Sequence, residues 1–198
     1  LLSTISYLER IFDTLDEPVE IADRPGAQSI GEIKGEVEFK AVNFEYDPGV
    51  PILKDCSFKV RAGESIAIVG PTGSGKSTLI NLLCRFYDVK SGEILIDGKN
   101  IADVKVRSLR KKLGIMLQDS FMFSGTILDN ILYGKLNATK KEVEEACETA
   151  CVSKFLPQTE NGLMTNINEG GVRLSAGQKQ LVSFARTIIQ DPKILILD

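Results

Sequence analysis

In "EVEFKAVNFEY", residues 36–46, Val37 and Phe39 alternate with charged neighbours, and this alternation predicts a half-buried strand. "SFKV" (57–60) predicts a second strand, followed by the turn "RAGE". "SIAIVG" (65–70) is a short apolar run ending in glycine, as expected of a strand covered on both faces. From about Lys76 to Tyr87 the period changes, with Leu79, Leu82, Leu83 and Phe86 on one side of a predicted helix. "GEILIDG" (92–98) and "LGIMLQD" (113–119) again predict strands. Two helical patterns follow, "TILDNILYG" (126–134) and "TKKEVEEACETACVSKFL" (139–156). The second opens on a capping box, Thr139 with Glu142, and carries Val143, Ala146, Cys147, Ala150 and Phe155 at helical spacing. "SAGQKQLVSFARTIIQD" (175–191) predicts a helix with Ser175 as its N-cap, and after Pro192 the chain runs into the apolar strand "ILILD". Ahead of all this, "ISYLERIFDTLDEP" places Ile5, Leu8, Phe12 and Leu15 at helical spacing up to Pro18. "EIADRPGAQSIGEIKG" (20–35) has no sustained period and reads as a linker. Strands interleaved with a central helical block imply an α/β core carrying a helical insertion.

The composition narrows the chemistry. The 198 residues are 43% hydrophobic and 26% charged, with a net charge of -3 and both signs well mixed. That is enough apolar material for a sizeable core, and it does not suit an electrostatic nucleic-acid binder. No apolar run approaches bilayer length. The chain has no histidine, and Cys56, Cys84, Cys147 and Cys151 form no C-x-x-C pair. A zinc site and a His-based triad are therefore not expected, and the thiols read as reduced and mostly buried, with Cys147 and Cys151 together in the core.

The segment that carries chemistry is "GPTGSGKST": Gly70, Pro71, Thr72, Gly73, Ser74, Gly75, Lys76, Ser77 and Thr78. It matches the phosphate-loop pattern and sits between a predicted strand and a predicted helix. Glycines let successive backbone N–H groups approach a phosphate without a Cβ in the way. The helix N-terminus adds unpaired donors and its dipole. Lys76 can reach the β- and γ-phosphates, and Ser77 offers a hydroxyl ligand to Mg²⁺. Phosphate-loop enzymes hold that metal also through an aspartate ending a second buried strand, which is where Asp198 stands. No N-K-x-D guanine-specificity motif is present.

The stretch "RLSAGQKQLVSFARTIIQDPKILILD" resembles the signature region of the nucleotide-binding domains of ABC transporters. There L-S-G-G-Q is followed by a helix and the Walker B strand; here the third position is Ala176. "QDSFMFSGTILDNILYG" and "NINEGGVRLSAGQ", the latter with Glu169 at its acidic position, are similar to stretches of the exporter branch. The resemblance covers essentially the whole chain. It implies a phosphate-loop NTPase core with an antiparallel β subdomain and an α-helical subdomain over about 120–175. Residues 1–17 are expected to be the end of a transmembrane-domain helix, 18–35 a linker, and 36–198 the ATP-binding domain, incomplete at its C-terminus.

The same resemblance implies residue roles. Tyr46 would stack on adenine. Gln118 would lie near Mg²⁺ and the attacking water. Ser175 and Gly177 would be presented to the γ-phosphate bound by a second copy. The cofactors would be ATP and Mg²⁺. The partners would be a transmembrane domain in the same polypeptide and a second nucleotide-binding domain, in a head-to-tail homo- or heterodimer at the cytoplasmic face of a membrane. The expected function is to power export across that membrane. A degenerate ATP-binding half of a heterodimer and a soluble ABC ATPase without a membrane partner are the alternatives. The family's water-polarising glutamate directly follows the Walker B aspartate, and its switch histidine comes later; neither is among these 198 residues. The fragment by itself is expected to be soluble and to bind Mg-ATP with little or no hydrolysis.

Overall fold

A computed structural model describes residues 2–116, 121–167 and 174–197. Strand β1 (Val37–Glu45) lies inside a four-stranded antiparallel sheet of order β2-β1-β3-β4, with β2 at Pro51–Val60, β3 at Ser91–Ile96 and β4 at Lys99–Asn100. Val37, Phe39, Val42 and Phe44 are buried, so the inward phase slips by one residue between Phe39 and Val42. The slip is a bulge. Ala41 takes a left-handed φ of 47°, and the pairing with both neighbours shifts there. The sequence alternation stops after Phe39 because the strand bends, not because it ends.

The linker is strapped to this sheet and to the segment beyond it. Asp97 accepts from the backbone N–H of Lys34, Gly35 and Glu36 at 2.5, 3.4 and 2.9 Å. Burial alone would raise the Asp97 carboxyl, but these donors outweigh it and hold it below the usual range. Further upstream, Asp23 accepts from Val106 N–H at 2.7 Å and Arg24 pairs with Asp103 at 3.0 Å. Ahead of the linker, α1 (Leu2–Leu15) is helical as expected, yet Leu8, Ile11, Phe12 and Leu15 are exposed. Among the described residues no helix is long and apolar enough to cross a membrane.

Strands β5 (Leu113–Met116) and β8 (Ile194–Leu197) pair in parallel, Leu113 opposite Ile194 and Met116 opposite Leu197. Ile115, Ile194 and Ile196 pack on the core beneath the antiparallel sheet, which also takes Leu82 and Leu109. Leu195 and Leu197 face outward. The run 65–70 corrects the expectation of a doubly covered strand. It is not in a sheet, and Ile66, Ile68 and Val69 are exposed at 50, 44 and 87%. An extended segment becomes a strand only when a neighbour takes its N–H and C=O groups. Among the described residues no sheet partner supplies them.

Helix α2 (Lys76–Leu83) is shorter than its apolar pattern suggested, because Arg85 takes a left-handed φ of 51° just past its end. After α3 (Val106–Arg110) comes the helical block: α4 (Ile127–Leu132), α5 (Lys140–Thr149) and α6 (Ala176–Ile188), with a two-residue ribbon between β6 (Gly125–Thr126) and β7 (Asn166–Ile167). All three helices of the block open on capping boxes, Thr126/Asp129, Thr139/Glu142 and Ser175/Gln178. Helix α5 stops at Thr149, so Cys147 is buried as expected but Cys151, at φ 58°, lies beyond the helix and is only partly covered. Met122, Ile131, Val143, Val182 and Ala185 form a second core cluster. There the chain just past α4 meets the end of α6 closely at Gly134, where an added Cβ would press into the Arg186 carbonyl and lie 2.8 Å from Ile189 Cγ2.

Candidate functional site

The phosphate loop sits at the N-terminus of α2. Gly75 is the residue before the helix, at φ 88°, and a Cβ there would lie 2.9 Å from Leu53 Cδ2. Only glycine meets both demands, a left-handed backbone and contact with β2. The turn is closed by Ser74 N–H on Pro71 O at 3.2 Å. Pro71, Thr72, Gly73 and Ser74 are exposed, and Gly73 has φ 82°. The Lys76 ammonium donates to Gly70 O and Pro71 O, both at 2.9 Å. It is thus folded back over the loop it belongs to, held by two neutral carbonyls. Phosphate oxygens are stronger acceptors for the same protons.

Ser77 is exposed in the first turn of α2. Its hydroxyl is the hard oxygen donor that Mg²⁺ takes. Among the described residues no three His, Cys, Asp or Glu side chains cluster as a metal cage. The Ser77 hydroxyl fits an ion that arrives with substrate phosphates and needs few protein ligands. Gln118 and Asp198, the other expected metal-site residues, lie outside the described residues, as does Glu169. The strands that lead to Gln118 and Asp198 are described, and their register brings the C-terminal ends, Met116 and Leu197, side by side. In open parallel sheets ligands bind at that edge.

Tyr46 follows β1 directly. Its ring is 43% exposed and stands edge-on to Phe44 and Tyr87, at centroid distances of 4.8 and 5.0 Å. Its hydroxyl donates to Thr78 Oγ1 at 3.3 Å and accepts from Asn81 Nδ2 at 3.2 Å. The aromatic residue and the phosphate loop are therefore joined through α2. Asn81 was missed in the sequence; the available signal was an amide set among Leu79, Ile80, Leu82 and Leu83.

The signature stretch heads α6. Ser175 accepts from Gln178 N–H at 3.2 Å, and Gln178 Oε1 accepts from Ser175 N–H at 2.9 Å. Ser175, Ala176 and Gly177 are exposed, and a Cβ on Gly177 would meet nothing within 4 Å. Further along α6, Arg186 donates to Asn130 O and Asn130 Oδ1, both at 2.8 Å, and to Phe121 O at 3.0 Å. Asn130, fully buried, holds both backbone groups of Phe123 at 2.9 Å. These two residues tie the segment after Gln118 to the helix that begins at Ser175. The Arg186–Asn130 pairing could not be read from spacing, because 56 positions separate the two residues in sequence. Phe121, Phe123 and Tyr133 form an aromatic patch beside them, with Phe123 and Tyr133 stacked at 4.1 Å.

Comparison with known proteins gives concordant matches. A family model described as ABC transporter matches residues 53–198. Over all 198 residues the chain is 48% identical to YfiC of Bacillus subtilis, an uncharacterized ABC transporter ATP-binding protein. It is 46% identical, over the same length, to a fatty acid ABC transporter ATP-binding/permease protein of Mycobacterium bovis. These matches cover 33% and 31% of the two relatives. The chain thus spans about one third of the curated relatives it matches. Among solved structures, a bacterial Atm1-family ABC exporter with ATP bound superposes with a TM-score of 0.91 at 44% identity, over 96% of this chain and 33% of that one.

Proposed function

The chain belongs to the ABC transporter family, and from that premise we propose that it binds Mg-ATP at Gly70–Thr78 and powers export across a membrane. The observation that carries the proposal is the Lys76 ammonium bent over its own loop carbonyls at the head of α2. The loop N–H groups and the helix N-terminus would cradle the phosphates. Lys76 would leave Gly70 O and Pro71 O for phosphate oxygens. Ser77, with Asp198 and Gln118, would hold Mg²⁺, which supplies charge neutralisation when bound. Tyr46 would carry the adenine.

Ser175 to Gly177 would face the γ-phosphate on a second copy, head to tail. The open space beside Gly177 and the capped N-terminus of α6 support that reading. A second copy at that position would complete the site, so ATP would act as the adhesive of the pair. The match to fused ATP-binding/permease proteins runs through α1 and the linker as well. It supports α1 as the connection to a transmembrane domain, and with it a place at the cytoplasmic face of a membrane. It favours that reading over a soluble ATPase. The aromatic patch at Phe121, Phe123 and Tyr133 is a fitting contact surface for that domain. For the 198 residues by themselves we propose binding without efficient turnover, since the glutamate that the resemblance places after Asp198 is not among them.

Titration calorimetry of Mg-ATP against the chain and its Lys76→Ala variant tests the site. Losing a charged donor to phosphate costs about 1.5–3 kcal/mol, or roughly 10- to 100-fold in affinity. An unchanged affinity in Lys76→Ala overturns the phosphate-loop assignment.

A further inference from the structure

The link between Tyr46 and α2 is directional. Asn81 Nδ2 donates to the Tyr46 hydroxyl at 3.2 Å, and that hydroxyl donates to Thr78 Oγ1 at 3.3 Å. Thr78 is only 6% exposed and lies in the first turn of α2, two residues after Lys76. A hydroxyl that accepts one hydrogen bond still has its own proton to donate. The relay therefore ends on a donor at the phosphate loop and begins on a side-chain amide one helical turn further on. At its other end the Tyr46 ring is braced edge-on by Phe44 and Tyr87. A ring held at both edges and at its hydroxyl has lost most of its freedom before any base arrives.

We infer that Asn81 and Thr78 are positioning residues that set the Tyr46 ring at a fixed offset from the phosphate loop, so that base and triphosphate are recognised as one rigid unit. The inference rests on the proposed nucleotide site and adds to it. Stacking alone needs only an aromatic ring, and Phe would serve as well as Tyr. With the relay, the hydroxyl has a purpose. Pre-orienting a side chain removes part of the ordering cost that binding otherwise carries. The benefit appears only for ligands that have both a base and a polyphosphate.

The test compares Mg-ATP with Mg-tripolyphosphate, which keeps the charge and lacks the base, on the 198-residue chain. Tyr46→Phe and Asn81→Leu each lose about three- to tenfold in ATP affinity, the cost of ordering one side chain that is no longer pre-set, while tripolyphosphate affinity stays within about twofold. Tyr46→Ala loses more, about ten- to a hundredfold, from the stacking itself. A general structural defect would weaken both ligands together and lower the melting temperature. If Tyr46→Ala weakens ATP but Tyr46→Phe and Asn81→Leu do not, the positioning role is wrong and the stacking reading survives. If the parent chain binds neither ligand, the nucleotide site itself fails and the inference with it.

Discussion

Arg85 is the residue on which the fold stakes most for a single side chain. It is 1% exposed, with its guanidinium donating to Asp88 Oδ1 at 2.9 Å, Val104 O at 3.1 Å and Ala22 O at 3.1 Å. Arg85→Met keeps the stem and removes every donor. Asp88 is 41% exposed and returns to water, so the ion pair contributes little to the loss. The cost falls on the two carbonyls. Val104 O is buried, and a lost bond from a charged donor is worth about 1.5–3 kcal/mol. Ala22 O is part-buried and recovers some of its loss through solvent. The sum is about 2–4 kcal/mol, against a total of roughly 5–15 kcal/mol for a typical domain. At about 2–4 °C per kcal/mol for a chain of this size, the melting temperature falls by about 5–15 °C. Arg85→Lys, with one compact donor head, falls in between. Thermal unfolding by circular dichroism reads the global effect. Hydrogen exchange reads the local one, since residues 22–24 lose an anchor and should exchange faster. A melting temperature within about 2 °C of the parent for Arg85→Met would falsify the claim that this side chain holds linker and core together.

Other expectations follow from the helical block. Gly134→Ala drives a methyl into the Arg186 carbonyl and Ile189, and overpacking of this kind costs about 1–3 kcal/mol; denaturant unfolding should show it, and an unaltered midpoint would mean that the chain just past α4 does not approach the end of α6 as described. Lys135, with the backbone N–H and hydroxyl of Thr139, holds the Glu142 carboxyl down at about 2, against 4.5 for an unperturbed glutamate. A carboxyl lowered on folding stabilises above its unfolded pKa and loses that contribution as pH falls through the folded one. The melting-temperature gap between the parent and Glu142→Gln should therefore be full above about pH 4.5 and close by about pH 2. A gap independent of pH would show that the cap works without the charge.

Local chemistry was the legible part of this protein. The α5 capping box and Ser175 as an N-cap are short-range patterns, and the structure places both where their spacing predicts; "GPTGSGKST" runs into its expected helix, but the run before it is not in a sheet. Element type was legible wherever one face is buried. Element ends were not, when a single left-handed residue decided them: Arg85 cuts α2 short, Cys151 follows the early stop of α5, and Ala41 breaks the alternation of β1. Nothing in the identity of Arg85, Cys151 or Ala41 announces that its backbone will turn left-handed under tertiary contact. The long-range polar ties, Arg85 to Ala22 and Arg186 to Asn130, were likewise invisible, because they depend on which elements meet. Gln118 and Asp198, expected at the ends of two strands, lie outside the described residues, so their roles stand on the resemblance and on the register of β5 with β8.

The exposed run at Ile66, Ile68 and Val69 also bears on how this polypeptide behaves at high concentration. An exposed apolar stretch without charge, outside any sheet among the described residues, is a template for another strand. Leu195 and Leu197 add outward-facing apolar surface on β8. Self-association of the 198 residues would thus begin at the apolar run before the phosphate loop, and a seeded aggregate would bury the approach to Gly70. Loss of nucleotide binding in an ageing preparation would then report stacking of chains rather than damage to the site.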